Sequence, residues 1–170
     1  MTRRLVFVLV LFVVGTALAH VPLFPEGPGP FEVPNPTVSK AYYLWLEPGE
    51  SHVFVVPPLG RTIPVQVLVL DDDRGRSQEH RARVDCGDGE RSLRRADTPF
   101  FEGFSRIEHR YRVVDAIGPS DAPCRVEVTQ TGGEAGPYTF SIGDEERFGA
   151  GDLIGLIGLG GRLAAWREGP

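Results

Sequence analysis

The sequence predicts an all-β domain, an antiparallel β-sandwich of about seven to nine strands with jelly-roll or immunoglobulin-like packing, followed by a short apolar C-terminal segment. Three observations carry that prediction. Short runs of β-branched and aromatic residues recur along the middle of the chain with an apolar side chain at every second position. Turn-forming residues separate them, with 21 glycines and 15 prolines among 170 residues, a composition that favours many short strands over long helices. The only two cysteines, Cys86 and Cys124, both fall on strand faces expected to point inward.

Residues 1–19 have the three parts of a secretory signal peptide. Thr2-Arg3-Arg4 is the basic start, residues 5–14 are the apolar stretch, and Ala17-Leu18-Ala19 is the small-x-small cleavage site. The alternative is an uncleaved anchor, but the apolar run is shorter than the ~20 residues a membrane helix needs, and Gly15 interrupts it. Cleavage after Ala19 makes His20 the first mature residue. It is not a cysteine, so the chain lacks a lipid-anchored start and is expected free in the periplasm or the medium. An even pair of cysteines in an oxidising compartment reads as one disulfide, with two separate buried thiols as the alternative.

Residues 20–38 form a proline- and glycine-rich arm, extended and either packed over the domain or loose. The sandwich is expected over residues 39–147. Residues 41–46 are apolar on both faces, Pro48-Gly49 makes a turn, and residues 51–56 are a β-branched run. Residues 64–70 alternate Val65, Val67 and Val69 against Gln66, Leu68 and Leu70. Residues 81–86 set Ala82, Val84 and Cys86 on one face. In residues 107–113 the alternation predicts Ile107, His109, Tyr111 and Val113 facing in. Residues 124–130 place Cys124, Val126 and Val128 together, and Tyr138, Phe140 and Ile142 share the inner face of the last run. Residues 148–170 are an apolar, glycine-rich tail. It either docks on the sandwich or lies peripherally in a membrane interface, with Trp166 at headgroup depth.

The net charge is −5, and seven arginines within residues 71–95 are matched by seven acids. This balance argues against nucleic acid as a partner and reads as a solvated surface. The chain holds no Gly-x-Ser-x-Gly, no His-Glu-x-x-His and no phosphate-binding loop, so nothing in it points to an enzyme.

Three groups of residues could carry chemistry. A mature N-terminal His20 offers an α-amino group and an imidazole to one metal ion, and a second histidine (His52, His80 or His109) would complete a nitrogen set suited to copper. On the inward face His109 reads as a core histidine instead. Asp85, Asp88 and Glu90 place carboxylates in a turn where calcium could bind, as do Asp71, Asp72 and Asp73, with a solvated turn as the plainer alternative. Among the aromatics, Tyr42, Tyr43, Trp45 and Phe54 could line a groove. Phe100, Phe101 and Phe104, expected in a loop between strands, together with Trp166, form a candidate binding surface.

Residues 47–56, Glu-Pro-Gly-Glu-Ser-His-Val-Phe-Val-Val, and residues 136–142, Gly-Pro-Tyr-Thr-Phe-Ser-Ile, resemble the bacterial pre-peptidase C-terminal domains. The resemblance implies a secreted β-sandwich with an accessory or binding role. The expected function is therefore an exported, non-catalytic binding module that meets an unidentified protein or envelope component. The alternatives are a copper-binding protein using His20 and a calcium-stabilised adhesive module.

Overall fold

The computed structural model describes residues 20–102, 106–147 and 157–169. Among these residues the elements run β1 (Val21–Leu23), β2 (Phe31–Glu32), β3 (Lys40–Leu46), β4 (Ser51–Val56), β5 (Ile63–Leu70), helix α1 (Asp73–Ser77), β6 (Glu79–Asp85), β7 (Glu90–Ser92), β8 (Arg95–Glu102), β9 (Ile107–Ile117), β10 (Cys124–Gly132), β11 (Gly136–Ile142) and helix α2 (Leu159–Glu168). They build a β-sandwich. One sheet has six strands in the order β1-β3-β11-β5-β9-β8, and the other has five in the order β2-β4-β10-β6-β7. The strand number exceeds the seven to nine expected, because β1, β2, β7 and β8 are short or lack clean alternation and leave little trace in the sequence.

Period two decides what lies between the sheets. Tyr42, Leu44 and Leu46 of β3 face Tyr138 and Phe140 of β11, which in turn neighbour Val67 and Val69 of β5. From the other sheet come Phe54 and Val56 of β4, Val126 and Val128 of β10, and Ala82 and Val84 of β6. Phe54 and Phe140 stack across the gap at 4.0 Å between ring centroids. Burying such side chains stabilises the fold by roughly 1.5–3 kcal/mol each. Tyr42 and Phe54 thus belong to the core and line no groove.

Cys86 and Cys124 are bonded to each other. They tie the end of β6 to the start of β10, its neighbour in the five-stranded sheet.

The arm takes part in the sandwich. β1 pairs in parallel with β3 and β2 in parallel with β4, so the chain crosses from one sheet to the other along a shared edge. Phe31 and Val33 drop their side chains into the core as it passes.

One expectation about facing is corrected. Val113 opposes Val67, but Tyr111 opposes Leu68, leaving Arg112 as an extra residue in β9. This bulge turns the pleat over. Val113 stays in the main core, whereas Ile107, His109 and Tyr111 move to the outer face of the six-stranded sheet.

Helix α2 covers that outer face. Leu159, Leu163 and Trp166, spaced to share one side of a helix, pack with Ala41, Tyr43, Leu70 and Ile107. Gly160 and Gly161 each cost the helix about 1 kcal/mol relative to alanine, so its stability comes from this packing. Trp166 donates its Nε1 hydrogen to the Leu44 carbonyl at 2.8 Å and sits edge-on to the Tyr43 ring. Trp166 is thus held against the sheet and is only 8% exposed. No helix among the described residues is long and apolar enough to cross a membrane.

Candidate functional site

The outer face of the six-stranded sheet carries two hollows that share Tyr43 as a wall. The larger is a cleft of about 570 Å³ between the arm and α2. Phe24 to Gly27 form one side, Arg162, Ala165, Trp166 and Gly169 the other, and Tyr43 and Trp45 the floor. Alternation along β3 explains the floor: while Tyr42 and Leu44 turn inward, Tyr43 and Trp45 turn out. Phe24 stacks on Tyr43 at 4.9 Å and 14°, and the Arg162 guanidinium lies 4.8 Å over Phe24. Arg74 lies 5.7 Å over Trp45, whose Nε1 is buried without a hydrogen-bond partner among the described residues.

The smaller hollow, about 20 Å³, has room for one water molecule or one ion. Residues from five strands of the sheet meet there: Tyr43 of β3, Thr139 and Ser141 of β11, Gln66 of β5, His109 of β9 and Glu102 of β8, joined by His20 at the start of the arm. Register sets the meeting. Ser141 stands opposite Gln66, and His109 opposite Phe100.

The electrostatics are those of a shielded polar spot. Burial, together with the Glu102 carboxylate nearby, holds the Tyr43 phenol well above its ordinary pKa. Burial pushes the His20 imidazole down, with Glu102 and Glu146 pulling the other way. His20 Nδ1 meets the Ser39 hydroxyl. His109 is 3% exposed, its Nε2 lies 3.7 Å from Glu102, and its Nδ1 has no hydrogen-bond partner among the described residues. Thr139 Oγ1, also buried, has none either.

No protein-family model, curated protein or solved structure matches the chain.

The sequence-derived candidates scatter. His20 and His109 come together, but His52 does not join them. It lies between the sheets, with Nδ1 2.8 Å from the Tyr138 hydroxyl, and His80 flanks the same tyrosine ring at 5.4 Å. Among the described residues no group of three His, Cys, Asp or Glu side chains is placed to hold a metal ion.

The calcium candidates are committed elsewhere. Asp85 accepts from the Gly87 amide, closing an Asx turn, and Glu90 pairs with Arg83 across β6 and β7. Asp88 is exposed in the same turn. Asp72 caps α1 by accepting from the Gly75 amide, and Asp71 and Asp73 pair with Arg76.

Phe100 and Phe101 sit in strand β8 and not in a loop. Phe100 packs on Tyr111 at 5.1 Å, and Phe101 is 59% exposed. Phe104 lies outside the described residues.

Sequence reasoning missed Phe24 and Glu102. Phe24 was hidden among the arm's prolines. Glu102 ends an edge strand whose pattern is broken by Pro99, so its facing could not be read from alternation.

Proposed function

We propose that the protein is exported after loss of residues 1–19 and works outside the cytoplasm as a non-catalytic binding module, taking an envelope component into the cleft between the arm and α2. The single observation that carries this reading is the aromatic cleft. At about 570 Å³ its volume lies in the range of small-ligand sites, and it brings Phe24, Tyr43, Trp45 and Trp166 to one place. The ligand it suits has a flat apolar face and hydrogen-bond acceptors along its edge, as a sugar ring does. The aromatic walls would meet the face and the exposed Arg162 guanidinium the edge.

Export draws support from the leader-like start and from the Cys86–Cys124 disulfide, a bond typical of oxidising compartments. The resemblance to pre-peptidase C-terminal domains fits an accessory role of this kind.

Trp45 and Trp166 are the only tryptophans in the chain, so intrinsic fluorescence reports on the cleft. Titration with soluble envelope polysaccharide fragments should give a saturable spectral change, weakened by Phe24→Ala and by Trp45→Phe. Absence of any change, with no co-sedimentation of the protein on intact envelope polysaccharide, would overturn the reading.

A further inference from the structure

We propose that the polar hollow beside the cleft is a binding site for one divalent transition-metal ion, with Cu(II) the tightest, held by the α-amino nitrogen and Nδ1 of the mature His20 and by the imidazole of His109. The proposal rests on the export part of the reading above and is independent of what the cleft binds.

The geometry supplies the reasons. His20 and His109 are 89 positions apart, yet they line one hollow just large enough for an ion. His109 is almost wholly buried in it, and its Nδ1 has no hydrogen-bond partner among the described residues. A buried polar nitrogen left unpaired is costly, and a bound ion would recover that loss. With the His109 proton on Nε2, beside Glu102, a lone pair remains on Nδ1; a carboxylate in that position fixes the tautomer of a ligating imidazole.

Two of the donors come from a single residue. Once cleavage frees the amine of His20, that nitrogen and Nδ1 close a six-membered ring on a metal, so only one further side chain is needed. This is why the site does not require three metal-binding side chains to be gathered beforehand. Glu102, which lines the same hollow, adds negative charge next to the cation. The Ser39 hydroxyl occupies Nδ1 in the metal-free arrangement and is displaced by the ion. Nitrogen donors place Cu(II) above the other first-row divalent ions.

The experiment uses the full chain expressed with its own leader, purified after export, and checked by mass spectrometry for a start at His20. Cu(II) alone is the probe, followed by calorimetry and EPR. One ion should bind per chain with a nitrogen-rich EPR signature. Acetylating the α-amine near neutral pH should weaken binding on the order of 100-fold, the scale of losing one arm of a chelate. His109→Gln should weaken it and simplify the nitrogen hyperfine pattern, while Ser39→Ala should leave it equal or tighter. Near-UV circular dichroism confirms that each variant is folded. A mature start other than His20, or equal affinity in the native and acetylated forms, overturns the proposal. So does a folded His109→Gln variant with an unchanged spectrum.

Discussion

His52 Nδ1 and the Tyr138 hydroxyl lie 2.8 Å apart inside the sandwich, a hydrogen bond that joins β4 of one sheet to β11 of the other. His80 stands near the same ring, buried, with neither ring nitrogen hydrogen-bonded among the described residues. Burial, reinforced by the nearby Arg112, pushes the His80 pKa down to about 3, and burial also lowers that of His52.

Acid should therefore loosen the core. Below the ordinary histidine pKa of 6.5 the unfolded chain takes up protons that the folded histidines refuse. Stability then falls as pH drops from about 6.5 toward 3, by up to about 1.4 kcal/mol per pH unit for each histidine kept neutral. His80→Leu removes one such group without breaking any hydrogen bond seen among the described residues. Urea unfolding between about pH 7 and pH 4 should show a shallower pH dependence for this variant than for the native chain. Parallel profiles would show that His80 is not the group responsible.

Trp166 is the pin of the last helix. Trp166→Phe keeps most of the ring but leaves the Leu44 carbonyl without its donor, and should cost about 1–2 kcal/mol. Trp166→Ala also empties the site and should cost about 3–5 kcal/mol. Thermal unfolding followed by circular dichroism separates the two.

Removing the disulfide, by reduction or with Cys86→Ala and Cys124→Ala together, should destabilise the fold by about 3–4 kcal/mol, the entropy of closing a loop across a separation of 38 residues. Denaturant midpoints with and without reductant test this.

Gly75 packs against the backbone of the strand before it. A Cβ built there would overlap the Leu70 carbonyl, so Gly75→Ala should shift α1 and cost about 1–3 kcal/mol, despite alanine being the better helix former. An unchanged melting temperature would show that α1 can move freely.

Seven of the strands were legible in the sequence, because period two in residues such as Val65, Val67 and Val69 reports a buried face directly. Facing in β9 was not legible: a bulge adds one residue, Arg112, and alternation before and after it looks unbroken while the strand has turned over. That is how His109 came to read as a core residue. The candidate site was half legible. His20 stood out chemically, but its meeting with Glu102 and His109 depends on strand order and on the path of the arm, both set by tertiary packing. Whether the tail docks through Trp166 was not legible, because glycines weaken the local helical signal and only the partner face on β3 makes that helix worthwhile.

The strap formed by residues 20–33 also closes one edge of each sheet. Without it, β3 and β4 would each present a long, apolar, unpaired margin, the template on which fibrils grow. β1 and β2 cover those margins with pairings of three and two residues, too brief to recruit another chain, and Pro22, Pro25, Pro28 and Pro30 withhold further amide donors along the same stretch. A protease that trims the arm would lay both of those margins bare.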